Sequence, residues 1–180
     1  MTDDRPRWLF RYADDTATEV SALLGKPPPV RRVVPVRLAH LGQVTLRAIA
    51  LVDSGSERVF AAPSMARQLR LDLSGAPEAD IGLGGERRRV RFMYVGIQLF
   101  RDLLVGNDAP LTDWEADVAF LMDWEPPWAV VLGRDGFFDK FTVTMHGGVP
   151  ALVLEPSGAF DERFGVEIAA AQKTQPRFRS

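Results

Sequence analysis

Residues 30–56 read VRRVVPVRLAHLGQVTLRAIALVDSGS. The run is rich in Val, Ile, Leu and Thr and is broken once, at His40-Leu41-Gly42-Gln43. Short apolar and β-branched runs on either side of a glycine describe a β-hairpin: one strand near 31–39, a turn at Gly42, and a second strand near 43–52. In the second strand Val44, Leu46, Ala48 and Ala50 alternate with Thr45, Arg47 and Ile49, consistent with one face turned inward. The strand then runs directly into Asp53-Ser54-Gly55-Ser56. A carboxylate at the end of a buried strand needs hydrogen-bond donors, or its pKa rises and it loses its charge. Ser54 and Ser56 supply hydroxyls, and Gly55 lets the backbone approach closely. A polar turn closed by an Asx-type hydrogen bond would use the same residues.

Downstream, Pro63 suits the first turn of a helix whose apolar stripe is Met65, Ala66 and Leu69. Gly82-Leu83-Gly84-Gly85-Glu86 reads as a turn between two extended segments. In the second of these, Arg87 to Phe100, Val90, Phe92 and Tyr94 face opposite to Arg89, Arg91 and Met93. Further strands are expected at 116–122, 129–132, 141–145 and 150–154, and a short helix at Asp135 to Lys140. Many strands with little helix predict a mostly-β, barrel-like or sandwich domain over residues 30–154. Residues 1–29 form an N-terminal arm. In it Asp14 or Asp15 could cap a short helix carrying Val20, Leu23 and Leu24, and Pro27-Pro28-Pro29 makes a stiff connector. Residues 155–180 are a C-terminal extension, with a terminal helix and a loose end after Phe164.

The chain has 180 residues, 46% hydrophobic and 26% charged, which suits one domain with extensions. Its 22 Lys and Arg against 24 Asp and Glu leave a net charge of −2. That balance argues against nucleic acid or a membrane as partner. No cysteine is present, which excludes thiolate chemistry and fits the reducing cytoplasm. The charged start does not read as a signal peptide, and no apolar run is long enough to span a bilayer. His40 and His146 lack metal-ligand spacing, so no metal is expected. No Gly-x-Ser-x-Gly surrounds Ser54 or Ser56, and no strand-turn-helix unit surrounds Gly82-x-Gly84-Gly85. Arg87, Arg89 and Arg91 read as a solvated strand face, although their place after the glycine turn also allows a bias towards acidic peptides. Trp114, Trp124 and Trp128 could line a cleft, but are expected to plug the end of a barrel.

Three segments together resemble one family. Leu51-Val52-Asp53-Ser54-Gly55-Ser56 is similar to the catalytic loop of the retropepsin-like aspartic peptidases. Ile81-Gly82-Leu83-Gly84-Gly85 is similar to their flap. Val130-Val131-Leu132-Gly133-Arg134-Asp135 resembles the apolar-apolar-glycine segment that follows. The resemblance covers about residues 30 to 154. It implies a closed retropepsin-like β-barrel with one or two short helices, and an endopeptidase acting on peptide or protein without metal or cofactor. The chain carries one Asp-Ser-Gly, so the resemblance implies a homodimer in which two Asp53 carboxylates share a site. Ser54 would bond across the pair and Ser56 would orient the carboxylate. Glu57 and Arg134 stand where the family often pairs an acid with an arginine; two separately solvated charges are the alternative. Ser54 replaces the family's usual Thr. A dimeric interaction module of the same fold that does not cleave is the rival reading.

Overall fold

The computed structural model describes residues 6–11, 13, 14, 23, 30–83, 85–103, 109–146 and 149–174. Its strands are Trp8–Arg11 (β1), Ala13–Asp14 (β2), Val30–Arg31 (β3), Val33–His40 (β4), Gln43–Val44 (β5), Ala48–Val52 (β6), Phe60–Ala61 (β7), Glu78–Leu83 (β8), Glu86–Leu99 (β9), Thr112–Leu121 (β10), Val130–Leu132 (β11), Phe141–His146 (β12) and Ala151–Pro156 (β13). The helices are Pro63–Gln68 (α1) and Ser157–Thr174 (α2). The helix expected around Val20 to Leu24 and the Pro27–Pro29 connector lie, Leu23 apart, outside the described residues.

The protein is mostly β, and six strands close into a barrel in the order β4, β6, β11, β7, β10, β9 and back to β4. Closure comes from β4 against β9, with Val36 opposite Leu99 and Ala39 opposite Gly96. Two neighbours, β6 with β11 and β7 with β10, run parallel; the other barrel pairs are antiparallel. Val34, Val36, Leu38, Ala50, Val52, Ile97, Leu99, Val118, Phe120 and Leu132 fill the interior.

The hairpin expected across residues 31–52 forms, with a break. His40 pairs with Gln43, and the reversal uses Leu41 at φ 45° and Gly42 at φ 78°, the signs of a type I′ turn. Regular pairing breaks after Val44 and resumes at Ala48, and the inward phase changes across the break, from Thr45 to Ala50. Thr45 is 3% exposed, whereas Val44 and Leu46 are 47% and 74% exposed. The Thr45 hydroxyl accepts from the Leu38 N–H at 3.1 Å and donates to the Leu46 carbonyl at 2.8 Å. A polar group that satisfies backbone in this way can occupy the inward position.

Helix α1 starts at Pro63 and buries Met65 and Ala66, with Leu69 buried just beyond it. It ends in a Schellman closure: the Leu71 N–H donates to the Ala66 carbonyl and the Arg70 N–H to the Arg67 carbonyl, both at 3.1 Å. Arg70 sits at φ 54°, a position glycine occupies without strain. The helix expected at Asp135–Lys140 does not form. Gly136 takes φ 92°, and the segment closes in wide turns, the Phe138 N–H reaching Gly133 and the Asp139 N–H reaching Arg134. This arrangement turns Phe137 and Phe141 inward against Trp114, with ring centroids 5.9 and 4.9 Å away.

Strands β1, β13 and β12 form a separate three-stranded sheet. It seats Phe10, Phe141, Leu152 and Leu154 in the main core. The arm residues 8–11 thus brace the domain through β13, Trp8 pairing with Leu154 and Arg11 with Ala151. Helix α2 begins at Ser157, earlier than the sequence suggests. Arg163 on α2 grips Glu155 of β13 through both carboxylate oxygens, at 2.5 and 2.6 Å. Arg7 adds a third charge at 3.5 Å, and the Glu155 side chain is only 8% exposed.

Replacing Arg70 by glycine is expected to raise stability by about 1 kcal/mol, the order of the left-handed cost of a non-glycine residue. Urea unfolding of Arg70→Gly beside Arg70→Ala measures it. An equal gain in both variants would refute a backbone origin.

Candidate active site

Asp53 is placed by the strand before it and by a second strand running alongside. β11 lies parallel to β6, with Val130, Val131 and Leu132 beside Ala50, Leu51 and Val52. The Asp53 N–H donates to the Leu132 carbonyl at 3.1 Å. The following loop then crosses the residues after β11. The Arg134 N–H donates to the Ser56 carbonyl at 2.9 Å, and the Asp135 N–H to the Glu57 carbonyl at 2.8 Å. At the crossing stands Gly133. A Cβ there would lie 2.1 Å from the Arg58 carbonyl oxygen and 2.8 Å from the Arg58 nitrogen.

The loop turns tightly around the carboxylate. Asp53 Oδ1 accepts from the Gly55 N–H at 2.9 Å, and the Asp53 carbonyl accepts from the Ser56 N–H at 3.1 Å. Asp53 is half-buried, while Ser54 and Gly55 are exposed. Ser56 is buried, and its hydroxyl donates to the Arg58 carbonyl at 2.9 Å. Within one chain, then, the Ser56 hydroxyl braces the loop backbone and does not orient the carboxylate. Arg134 and Glu57 do form an ion pair, at 3.6 Å, but with side chains 62% and 80% exposed. A pair so solvated contributes little to stability. Gly133, by contrast, admits no side chain at all.

Asp53 opens into a cleft of about 770 Å³. Gly55, Ser56, Glu57 and Arg58 form one side, and Asp80, Ile81, Gly82 and Leu83 of β8 form another. The loop after β6 and Ile81 to Leu83 of β8, both singled out in the sequence, therefore meet across a single space. Leu83 pairs with Glu86, and Gly85 takes φ 85°; Gly84 lies outside the described residues. Leu51, Phe60, Leu121, Val131, Trp124 and Trp128 make the remaining wall apolar, with Pro126 and Pro127 between the two tryptophans. The tryptophans thus divide their roles. Trp114 plugs the barrel, its indole N–H donating to the Gly136 carbonyl at 2.6 Å, whereas Trp124 and Trp128 line the cleft. Trp114 is on the inward face of β10; the other two are on the segment after that strand.

The cleft wall has its own small core. Phe60, Val90, Ala119 and Leu121 are buried together, with Ala79, Ile81, Leu83, Phe92, Trp124 and Val131 packed on them. The arginines after the glycine turn are tied across the hairpin. Arg91 contacts Glu78 at 2.8 Å and donates to the Leu73 carbonyl at 2.6 Å, and Arg89 lies 3.4 Å from Glu78. Arg87 and Arg89 are exposed, and Arg91 is half-buried.

Among the described residues, no group of three or more His, Asp or Glu is placed to hold a metal ion. No helix among them is long and apolar enough to cross a membrane. The His146 Nδ1 accepts from the Val149 N–H at 2.8 Å. Comparison of the sequence with family models and with curated proteins returns no match.

Gly133→Ala is expected to cost about 3 kcal/mol or more, because the new methyl meets backbone that cannot rotate away. Chemical denaturation measures this, and a variant within about 1 kcal/mol of wild type would contradict the close crossing.

Proposed function

We propose that the chain is a retropepsin-like aspartic endopeptidase that works as a homodimer, each copy contributing one Asp53. The observation that carries this reading is the setting of Asp53. Its carboxyl stands at the end of a barrel strand, on a loop fixed by the Gly133 crossing, and opens into an apolar-walled cleft under a glycine-tipped hairpin. A cleft whose lining is largely apolar, with Asp53, Glu57 and Asp80 as its acids, suits a peptide with apolar side chains better than a small polar ligand.

Two such carboxylates brought together across a two-fold axis cannot both ionise cheaply, so they hold one proton between them. The ionised member takes a proton from a bound water, and that water's oxygen attacks the scissile carbonyl carbon. The protonated member donates to the carbonyl oxygen, and as the tetrahedral adduct collapses the carboxyl that took the water's proton passes it to the leaving nitrogen, breaking the C–N bond. The β8–β9 hairpin serves as flap, Ile81 to Gly85 covering the substrate. Ser54, exposed beside Asp53, is free to bond across to the partner's loop. Protein or peptide is the substrate, and the steps need only the two carboxylates and water. Lack of cysteine fits work in the cytoplasm.

Cleavage of a peptide library across acidic and neutral pH tests the reading, with sedimentation to establish the dimer. Asp53→Asn should lower kcat/KM by at least about 10²-fold, the scale of lost general acid–base catalysis. The wild type should show a bell-shaped pH profile, whose two limbs belong to the pair jointly. Cleavage that survives in Asp53→Asn, or a strictly monomeric active protein, would sink the mechanism. A stable dimer that cleaves nothing would instead mark an interaction module.

A further inference from the structure

Strand alternation sends Arg87, Arg89 and Arg91 to one side of β9 and Glu86, Arg88, Val90 and Phe92 to the other. Arg88 therefore shares the cleft side of the hairpin with Ile81, its cross-strand partner. Its guanidinium lies over the ring of Trp124, 5.0 Å from the centroid. The side chain is 24% exposed and paired with Glu86. Its Nε is buried and makes no hydrogen bond among the described residues. An arginine placed this way is held by the ring face and by one acid on its own hairpin.

The residue after Trp124 is gripped from elsewhere. Glu125 accepts from Arg67 at 2.6 Å and from Ser64 at 3.1 Å, both on α1. Two consecutive residues thus join the hairpin to the helix. Apolar packing of Ile81 and Leu83 near Trp124 is attractive but non-directional. The planar guanidinium over the ring adds a preferred height and angle, which a lysine ammonium does not reproduce.

We propose that Arg88 is a positioning residue that docks the β8–β9 hairpin onto Trp124; the Arg67–Glu125 pair beside it, with side chains 68% and 48% exposed, adds little to that docking. The docking sets the width of the cleft over Asp53. Its effect on catalysis rests on the aspartic peptidase reading; the docking itself does not.

Hydrogen exchange on the full chain tests the docking directly. Arg88→Ala and Trp124→Leu should speed exchange of amides in 78–83 and 86–92 by roughly five- to thirty-fold, the range a partly desolvated cation–π contact spans. Arg88→Lys should recover less than half of that protection, and Glu125→Gln should leave the same amides within about twofold of wild type. Unchanged exchange in Arg88→Ala overturns the proposal, as does a rise spread evenly over the barrel strands. In peptide cleavage, Arg88→Ala should raise KM by a similar factor and leave kcat within roughly twofold; a loss confined to kcat also overturns it. Should the wild type cleave no peptide, the peptidase reading falls and the exchange pattern still decides the docking.

Discussion

The crossing of two backbones at Gly133 governs the rest of the site. A Cβ there would sit 2.1 Å from the Arg58 carbonyl oxygen, so the loop after β6 and the segment after β11 can lie against each other only because one of them is bare. Everything nearby follows from that contact. The Ser56 and Glu57 carbonyls find their donors in Arg134 and Asp135, and the Ser56 hydroxyl is left for Arg58. The loop is then rigid enough to hold a carboxylate at the surface of an apolar cleft without a strong ion pair beside it. The nearby Glu57–Arg134 pair is too solvated to supply that rigidity. Hydrogen bonds and close packing supply it instead.

Strands β9 and β10 show how one pair of strands can serve two cores. Met93, Val95, Ile97 and Leu99 face the barrel, as do Trp114, Ala116, Val118 and Phe120. Val90 and Phe92, with Ala119 and Leu121, face the other way and build the cleft wall. No break in register is needed, since Val90 pairs with Leu121 and Leu99 with Thr112 along one continuous ladder. The ladder runs past the end of the barrel, and there its outer face becomes the inner face of the cleft. The hairpin over Asp53 is therefore an extension of the barrel wall and shares its stiffness at the base.

Much of this was legible in the sequence where local chemistry and long-range structure agree. The strands near 31–39, 116–122, 129–132, 141–145 and 150–154 and the helix after Pro63 all correspond to elements, because apolar runs and proline placement reflect what the backbone does locally. The meeting of Asp53 with Ile81, Gly82 and Leu83 across one cleft was legible through the order of motifs. Other features were not. Alternation alone did not say which face of residues 44–50 turns inward; the Leu38 N–H finds its acceptor in the Thr45 hydroxyl, and Thr45 is buried. The segment from Asp135 to Lys140 has one strong helix former, Lys140, and Gly136 takes a conformation outside the helical range so that three aromatic rings can meet. Trp124 and Trp128 resembled core plugs because side-chain type alone does not say which side of a barrel wall a loop will follow. The pairing of β1 with β13 had no local signal at all, since the partners stand at opposite ends of the chain.

That last pairing bears on how the protein is made. Trp8 meets Leu154 only after almost the whole chain exists, and contacts so distant in sequence are slow to form because a long loop must close before any contact energy is returned. All the barrel strands precede β12 and β13 in the chain, so the three-stranded seal over Phe10 cannot be completed until every strand of the barrel wall has been synthesised.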